Sequence, residues 1–261
     1  MVGESLVQFN KNLEKLVSSC DSFIKPDKDD VCRLVDKLVG WYGGSKRKFE
    51  TDDKGNLLFS YEHSVNVANL MLDYYFSGKD RKFNRFFEDH CVEHLYVALL
   101  HDVVEDRKVG LKDLYSYLRT DKHIGDDFSE KIIHDVTVLT KSFSASSPRY
   151  ARLMGAYLSR VKSDKVTADV KCFDILSNSL SINIGHSVDD LDQFDKLRGI
   201  YHDFVGDVLP GVRSLVMKNV YANLNSTQMA HIFSETFGNS SDGGFGDRSY
   251  LDLPFSRKAF K

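Results

Sequence analysis

Apolar residues in this chain return every three or four positions, over long stretches that almost no proline interrupts. Leu6, Phe9, Leu13, Leu16 and Val17 form one such series, and Val31, Leu34, Val35, Leu38 and Val39 form a second. That period lays a single apolar stripe along a helix. The four prolines stand at 26, 148, 210 and 254, and an interior proline breaks a helix because it removes a donor and clashes with the preceding turn. Val65, Ala68, Leu70 and Met71 point to another helix. Residues 91–100, CVEHLYVALL, are apolar nearly all round and read as a buried central helix. Further helical segments are expected over 111–119, 128–140, 150–162, 165–180, 192–208 and 210–223. Asp and Ser near several starts suit N-caps. No series of alternating strands joined by two-residue turns is present, so the expected fold class is all-α.

The pattern breaks between Trp41 and Tyr61, where GGSKRKFETDDKGN predicts a loop or short hairpin. Residues 142–149 predict a second loop, and beyond about residue 235 the chain turns rich in Gly and Ser. We expect one domain over 1–225, with 226–261 as a loosely held tail. A chain of 261 residues is long enough to bury a core without disulfides or structural zinc. Cys20, Cys32, Cys91 and Cys172 form no CxxC pair, which argues against a zinc ribbon or a thioredoxin-like site. The net charge of -3, with no basic stripe on a recognition helix, argues against a nucleic-acid partner. No apolar run approaches the roughly 20 residues needed to span a bilayer. The N-terminal MVGESLVQFNKNLEKL is amphipathic and does not read as a secretory signal. A cytoplasmic protein without a membrane partner is expected.

The segment LLHDVVEDRK, residues 99–108, carries the chemistry. If the apolar helix continues through it, His101 lies over Glu105 and Asp102 over Asp106, because positions four apart share a face. Ionisable groups gather against an apolar run only where they are paired or used, since burying unpaired charge is costly. Upstream, His63 opens an amphipathic segment, SYEHSVNVANLM; downstream, Asp174 sits within VKCFDILSNS. An aspartate in such an apolar run requires a cation or a strong hydrogen-bond partner. Two histidines and two aspartates make a mixed N/O set that suits Mn, Fe or Zn better than Ca or Mg.

The order His, His-Asp, Asp resembles the HD-domain metal-dependent phosphohydrolases. His-Asp followed two residues later by Glu-Asp resembles more closely the hydrolase domain of the RelA/SpoT family, which removes pyrophosphate from the alarmone (p)ppGpp. SKRK at 45–48 is similar to that family's basic motif before the first histidine, DVTVLTK at 135–141 to its Val-Thr-Lys segment, and VKCFDILSN at 170–178 to its Lys-x-x-Asp-x-x-x-Asn helix. The likeness runs over about residues 40–205. It implies an HD-domain helical bundle with His63, His101, Asp102 and Asp174 holding Mn²⁺ or a similar ion. It further implies Glu105 and Asp106 as the pair that positions and deprotonates water. Lys46, Arg47 or Lys48 would hold the base or phosphates, and Lys141, Asn178 and Tyr201 would line the nucleotide pocket. The implied partner is a small-molecule nucleotide; the sequence leaves the oligomeric state open.

The chain departs from that family at several positions. Ser64 stands where Pro is usual, the spacer from Arg47 to His63 is long, and Phe173 replaces a small residue. Ile175 and Ser177 stand where Arg and His are common, and Arg107 where Thr is frequent. No metal ligand is lost by these changes, but several fall near the nucleotide pocket. The stretch after residue 205 leaves no room for an alarmone synthetase domain, so a stand-alone hydrolase is expected. Hydrolysis of NADPH or a dNTP, or nucleotide sensing without turnover, stand as alternatives. His94, seven residues before His101, is expected to pack and not to ligate.

Overall fold

The computed structural model describes residues 4–19, 26–51, 57–120, 125–143, 147–180 and 199–222. Eleven helices and one antiparallel hairpin occur among them. Helices α1 (Glu4–Ser19) and α2 (Lys28–Tyr42) follow the two apolar series, and Phe9, Leu13, Leu16, Val31, Leu34, Val35 and Leu38 are all buried. Asp27 caps α2, its carboxylate accepting from the backbone N–H of Asp29 at 2.8 Å and of Asp30 at 3.3 Å. Such a cap is worth about 1 kcal/mol because it satisfies donors with no partner within the helix. The polar break at 41–61 resolves into the hairpin: β1 (Lys46–Thr51) pairs with β2 (Leu57–Phe59), with Lys46 opposite Phe59.

The chain then enters α3 (Ser60–Ser77), whose first turn is secured by Glu62 accepting from the Phe59 N–H at 2.8 Å. Gly78, at φ 66°, ends α3 in the left-handed conformation that glycine adopts without strain. Helix α4 (Arg81–Asp89) escaped the sequence reading. Its signal is Asp80 as N-cap followed by Phe83 and Phe87, both buried and four residues apart. Nine residues with only two inward positions are too short to show a full amphipathic repeat.

Helix α5 (Cys91–Leu100) is buried on nearly every side, as expected for CVEHLYVALL. Helices α6 (Leu111–Thr120), α7 (Asp126–Leu139), α8 (Tyr150–Lys162) and α9 (Lys165–Leu180) follow. Helices α10 (Ile200–Val208) and α11 (Pro210–Ala222) complete the described fold. The expected helix at 192–208 is seen from Ile200; residues 192–198, the predicted tail and Cys20 lie outside the described residues. The hub is α9, which packs against α3, α5, α7, α8, α10 and α11. Its residues 166–177 are buried all round, charged positions included. A helix enclosed in this way can hold Asp169, Lys171 and Asp174 only if each finds a partner. The described fold is all-α. None of its helices is long and apolar enough to cross a membrane.

Candidate metal centre

Three remote parts of the sequence meet beside α9. His63 lies in the first turn of α3, His101 follows the last residue of α5, and Asp174 projects from the middle of α9. His63 Nε2 is 3.0 Å from Asp174 Oδ1, and His101 Nε2 is 3.7 Å from the same oxygen. The imidazole centroids are 5.4 Å apart. Asp102 turns one oxygen to each ring, Oδ1 at 3.3 Å from His101 Nε2 and Oδ2 at 3.7 Å from His63 Nε2. All three of His63, His101 and Asp174 are buried, and one ligand atom from each falls within 4.8 Å of the others. Asp102 borders this set and is its most open member, with 19 % of its side chain exposed.

The outer nitrogens of the rings are already engaged. His101 donates from Nδ1 to the Ala98 carbonyl at 2.8 Å, which leaves Nε2 aimed at the carboxylates. Ser177 Oγ lies 3.4 Å from His63 Nδ1. Fixing one nitrogen from behind orients the other as a metal donor. His101 Nε2 is buried and makes no hydrogen bond of acceptable geometry. This group could hold a metal ion. Its chemistry fits one: the donors are two imidazoles and a carboxylate, and His101 Nε2, a buried nitrogen without a hydrogen bond, points into the set.

Charge is balanced tightly around the centre. Burial would lower the His101 pKa, but the carboxylates of Asp102 and Asp174 push it up to about 10. Burial would raise that of Asp174, but Lys171 and the two imidazoles hold it well below the usual carboxylate range. Burial also opposes the charge on Lys171, yet the Asp174 carboxylate keeps it protonated well above the ordinary lysine value. The same carboxylates that favour a proton on His101 Nε2 would favour a divalent ion in its place.

The predicted proton-accepting pair lies on the chain just past the ligands, but not on a continued helix. Helix α5 ends at Leu100, and residues 101–107 run as turns. Arg107, at φ 56°, is the non-glycine residue with positive φ among those described. Leaving the helix allows Asp102 to face the imidazoles while Glu105 swings to the C-terminal end of α7. There Glu105 Oε1 is 2.9 Å from Lys141 Nζ, and Oε2 accepts the Lys141 backbone N–H at 3.0 Å. Burial would depress the Lys141 pKa, as would Lys171 nearby; Tyr201 and Glu105 raise it overall. Asp106 is exposed. Lys108 ties the same turn to the foot of the hairpin, donating to Ser45 Oγ at 2.7 Å.

The remaining expected pocket residues divide. The Asn178 amide donates to Asp174 Oδ1 at 2.7 Å. Tyr201 presents its ring 5.8 Å from the Lys171 ammonium, and Tyr157 does the same at 5.8 Å. Lys46 is exposed and lies over the Phe59 ring at 5.3 Å. The side chains of Arg47 and Lys48 lie outside the described residues. Lys171 was missed as a site residue. Its signal was a lysine three positions before an aspartate in an otherwise apolar helix, a spacing that joins the two on one face. Among the positions where the chain departs from the family pattern, Phe173 is fully buried against Tyr74 and Phe83. Compared with known proteins, the chain matches no protein-family model, no curated protein and no solved structure.

Proposed function

We propose that this protein is a metal-dependent phosphohydrolase of the HD type, and that its substrate is the alarmone (p)ppGpp, cleaved at the 3′-pyrophosphate to GDP or GTP and pyrophosphate. The observation that carries the reading is the convergence of His63, His101 and Asp174 on one buried point, with His101 Nε2 left without a hydrogen bond. The His-Asp-x-x-Glu-Asp order around it supports the hydrolase class.

His63, His101, Asp102 and Asp174 would hold Mn²⁺ or a similar ion. When bound, such an ion supplies Lewis acidity, making water easier to deprotonate and polarising a phosphoryl oxygen. Glu105 is the proton acceptor, with Asp106 beside it at the open rim. Lys141 is paired with Glu105 in the resting protein. A substrate phosphate reaching Lys141 competes for its ammonium, and Glu105 is then left free to take a proton from water. The Tyr201 ring lies 5.8 Å from the Lys171 ammonium. The protein would act on a small soluble nucleotide in the cytoplasm. A second reading, another nucleotide such as NADPH, rests on Ile175 and Ser177, which stand where Arg and His are common: both are buried, and Ser177 Oγ lies 3.4 Å from His63 Nδ1.

The test is turnover of ppGpp, NADPH and a set of dNTPs by Mn²⁺-loaded protein, with products resolved by anion exchange. GDP and pyrophosphate from ppGpp, lost in Asp102→Ala, are expected. Glu105→Gln should keep its metal and lose about 100-fold or more in turnover. Turnover of another nucleotide alone would move the substrate and keep the centre. Metal binding without turnover of any would leave a nucleotide sensor.

A further inference from the structure

The buried face of α9 holds a charged residue for which the proposed hydrolysis has no direct use. Lys171 is 6 % exposed and lies one turn before Asp174. Its ammonium meets Asp174 Oδ2. One turn after Asp174, the Asn178 amide donates to Oδ1 at 2.7 Å. Spacings of three and four residues put all three side chains on one helix face. The two oxygens of Asp174 are therefore in different positions. Oδ1 faces His63 and His101, while Oδ2 is turned away into the ion pair. Lys171 cannot readily let go, because its ammonium is bracketed by the rings of Tyr157 and Tyr201 and a buried cation without its carboxylate is costly.

We infer that Lys171 and Asn178 are positioning residues that hold Asp174 to a single ligating oxygen, Oδ1, and so select a transition-metal ion over Ca²⁺. The inference rests on the metal-centre reading. Ca²⁺ takes six to eight oxygen ligands and commonly engages a carboxylate through both oxygens. Oδ2 is withheld from it by the Lys171 ammonium. Two imidazole nitrogens with carboxylate oxygens taken singly suit Mn, Fe or Zn. Asn178 occupies one lone pair of Oδ1 and directs the other towards the imidazoles, as hydrogen-bonded outer partners do for ligating carboxylates.

The experiment is calorimetric titration of chelator-treated protein with Mn²⁺ and, separately, with Ca²⁺. It compares the parent with Lys171→Met, Lys171→Arg and Asn178→Leu. The parent should bind Mn²⁺ and strongly prefer it to Ca²⁺. Lys171→Met should lose about 10- to 100-fold in Mn²⁺ affinity without losing Ca²⁺ affinity in step, so the preference collapses. Lys171→Arg, which keeps a cation on Oδ2, should restore it. Asn178→Leu leaves the ion pair intact and should narrow the preference in the same direction by less; it decides the matter if Lys171→Met does not fold. A folded Lys171→Met, or failing that Asn178→Leu, with the parent's Mn²⁺ to Ca²⁺ preference would overturn the clamp and leave the metal centre standing. A parent that binds neither ion would overturn the centre and the clamp together.

Discussion

The two ends of α5 are built from the same parts and differ in what surrounds them. At the N-terminal end, His94 Nδ1 engages the His90 carbonyl at 3.0 Å, and Nε2 faces Asp169 of α9 at 3.3 Å. Lys165, one turn before Asp169, pairs with its other oxygen. At the C-terminal end, His101, Ala98, Asp174 and Lys171 repeat that arrangement. What differs is the third neighbour. His94 is enclosed by the rings of Phe83, Phe86 and Phe87. His101 instead meets a second imidazole from α3 and the partly open Asp102. A buried His-Asp pair is thus a packing device until another ligand reaches the same point and a route to solvent opens. His94 was expected to pack, and its surroundings agree.

The sharpest way to break this contrast is to remove one aspartate. Asp174→Ala should abolish stoichiometric Mn²⁺ binding, read as metal content after dialysis, and bring turnover to background. Retained metal in this variant would place the ion elsewhere. The matching change at the other end, His94→Leu, should leave metal content and Mn²⁺ affinity at the parent's level. It should lower stability in urea unfolding by about 1–3 kcal/mol, because Asp169 loses a buried hydrogen-bond partner. If His94→Leu lost metal instead, the two ends would not be separate.

The N-terminal end offers a pH test as well. Near His94, Lys131 lies 3.0 Å from Glu93 Oε1, 2.7 Å from Asp135 Oδ1 and 3.0 Å from Asp164 Oδ2. Burial pushes Asp135 up to about 7; Lys131 pulls against it and the contact with Glu93 adds to it. Glu93 moves the other way, lowered despite its burial by Lys131, by Asp135 and by His90. For an acid with a raised folded pKa, the stability contributed by the protonated form is complete below its unfolded value of 3.8 and is lost as pH rises through about 7. Asparagine mimics that protonated form at every pH. Asp135→Asn should therefore gain on the parent as pH rises across this window. A constant difference between the two unfolding curves would refute a shared proton there. The smallest effect belongs to the turn at the C-terminal end. Arg107→Gly relieves a left-handed backbone at φ 56°, and after the entropy glycine loses on folding the net gain should be at most about 1 kcal/mol. Thermal unfolding that shows a loss would mean the arginine side chain holds the turn.

Much of the fold was legible in the chain because helix periodicity is a local property. The series in α1 and α2 and the uniform apolarity of α5 each report one buried face, or burial all round, without reference to any distant residue. Helix α4 was not legible, since a short helix with Asp80 as cap and two inward phenylalanines carries little period. The end of α5 at Leu100 agrees with the run 91–100, but the sequence leaves the path of the chain beyond it open. Nothing between His101 and Lys108 forbids a helix, and the positive φ at Arg107 is contrary to local preference. The turn carries its own backbone hydrogen bonds and is tied outward by the Lys141–Glu105 pair and by Lys108 donating to Ser45.

By itself, then, the sequence determined an all-helical chain, the positions of its polar break and central apolar helix, and the residue types that can bind a metal. Periodicity, proline spacing and side-chain chemistry are all carried by residues close together in the chain. Only the tertiary structure decided which of two similar buried His-Asp pairs gains a second imidazole, and which oxygen of Asp174 faces it. Those choices depend on how α3, α5 and α9 cross, and the side chains that meet at the crossing are far apart in the chain, His63 and Asp174 by 111 positions.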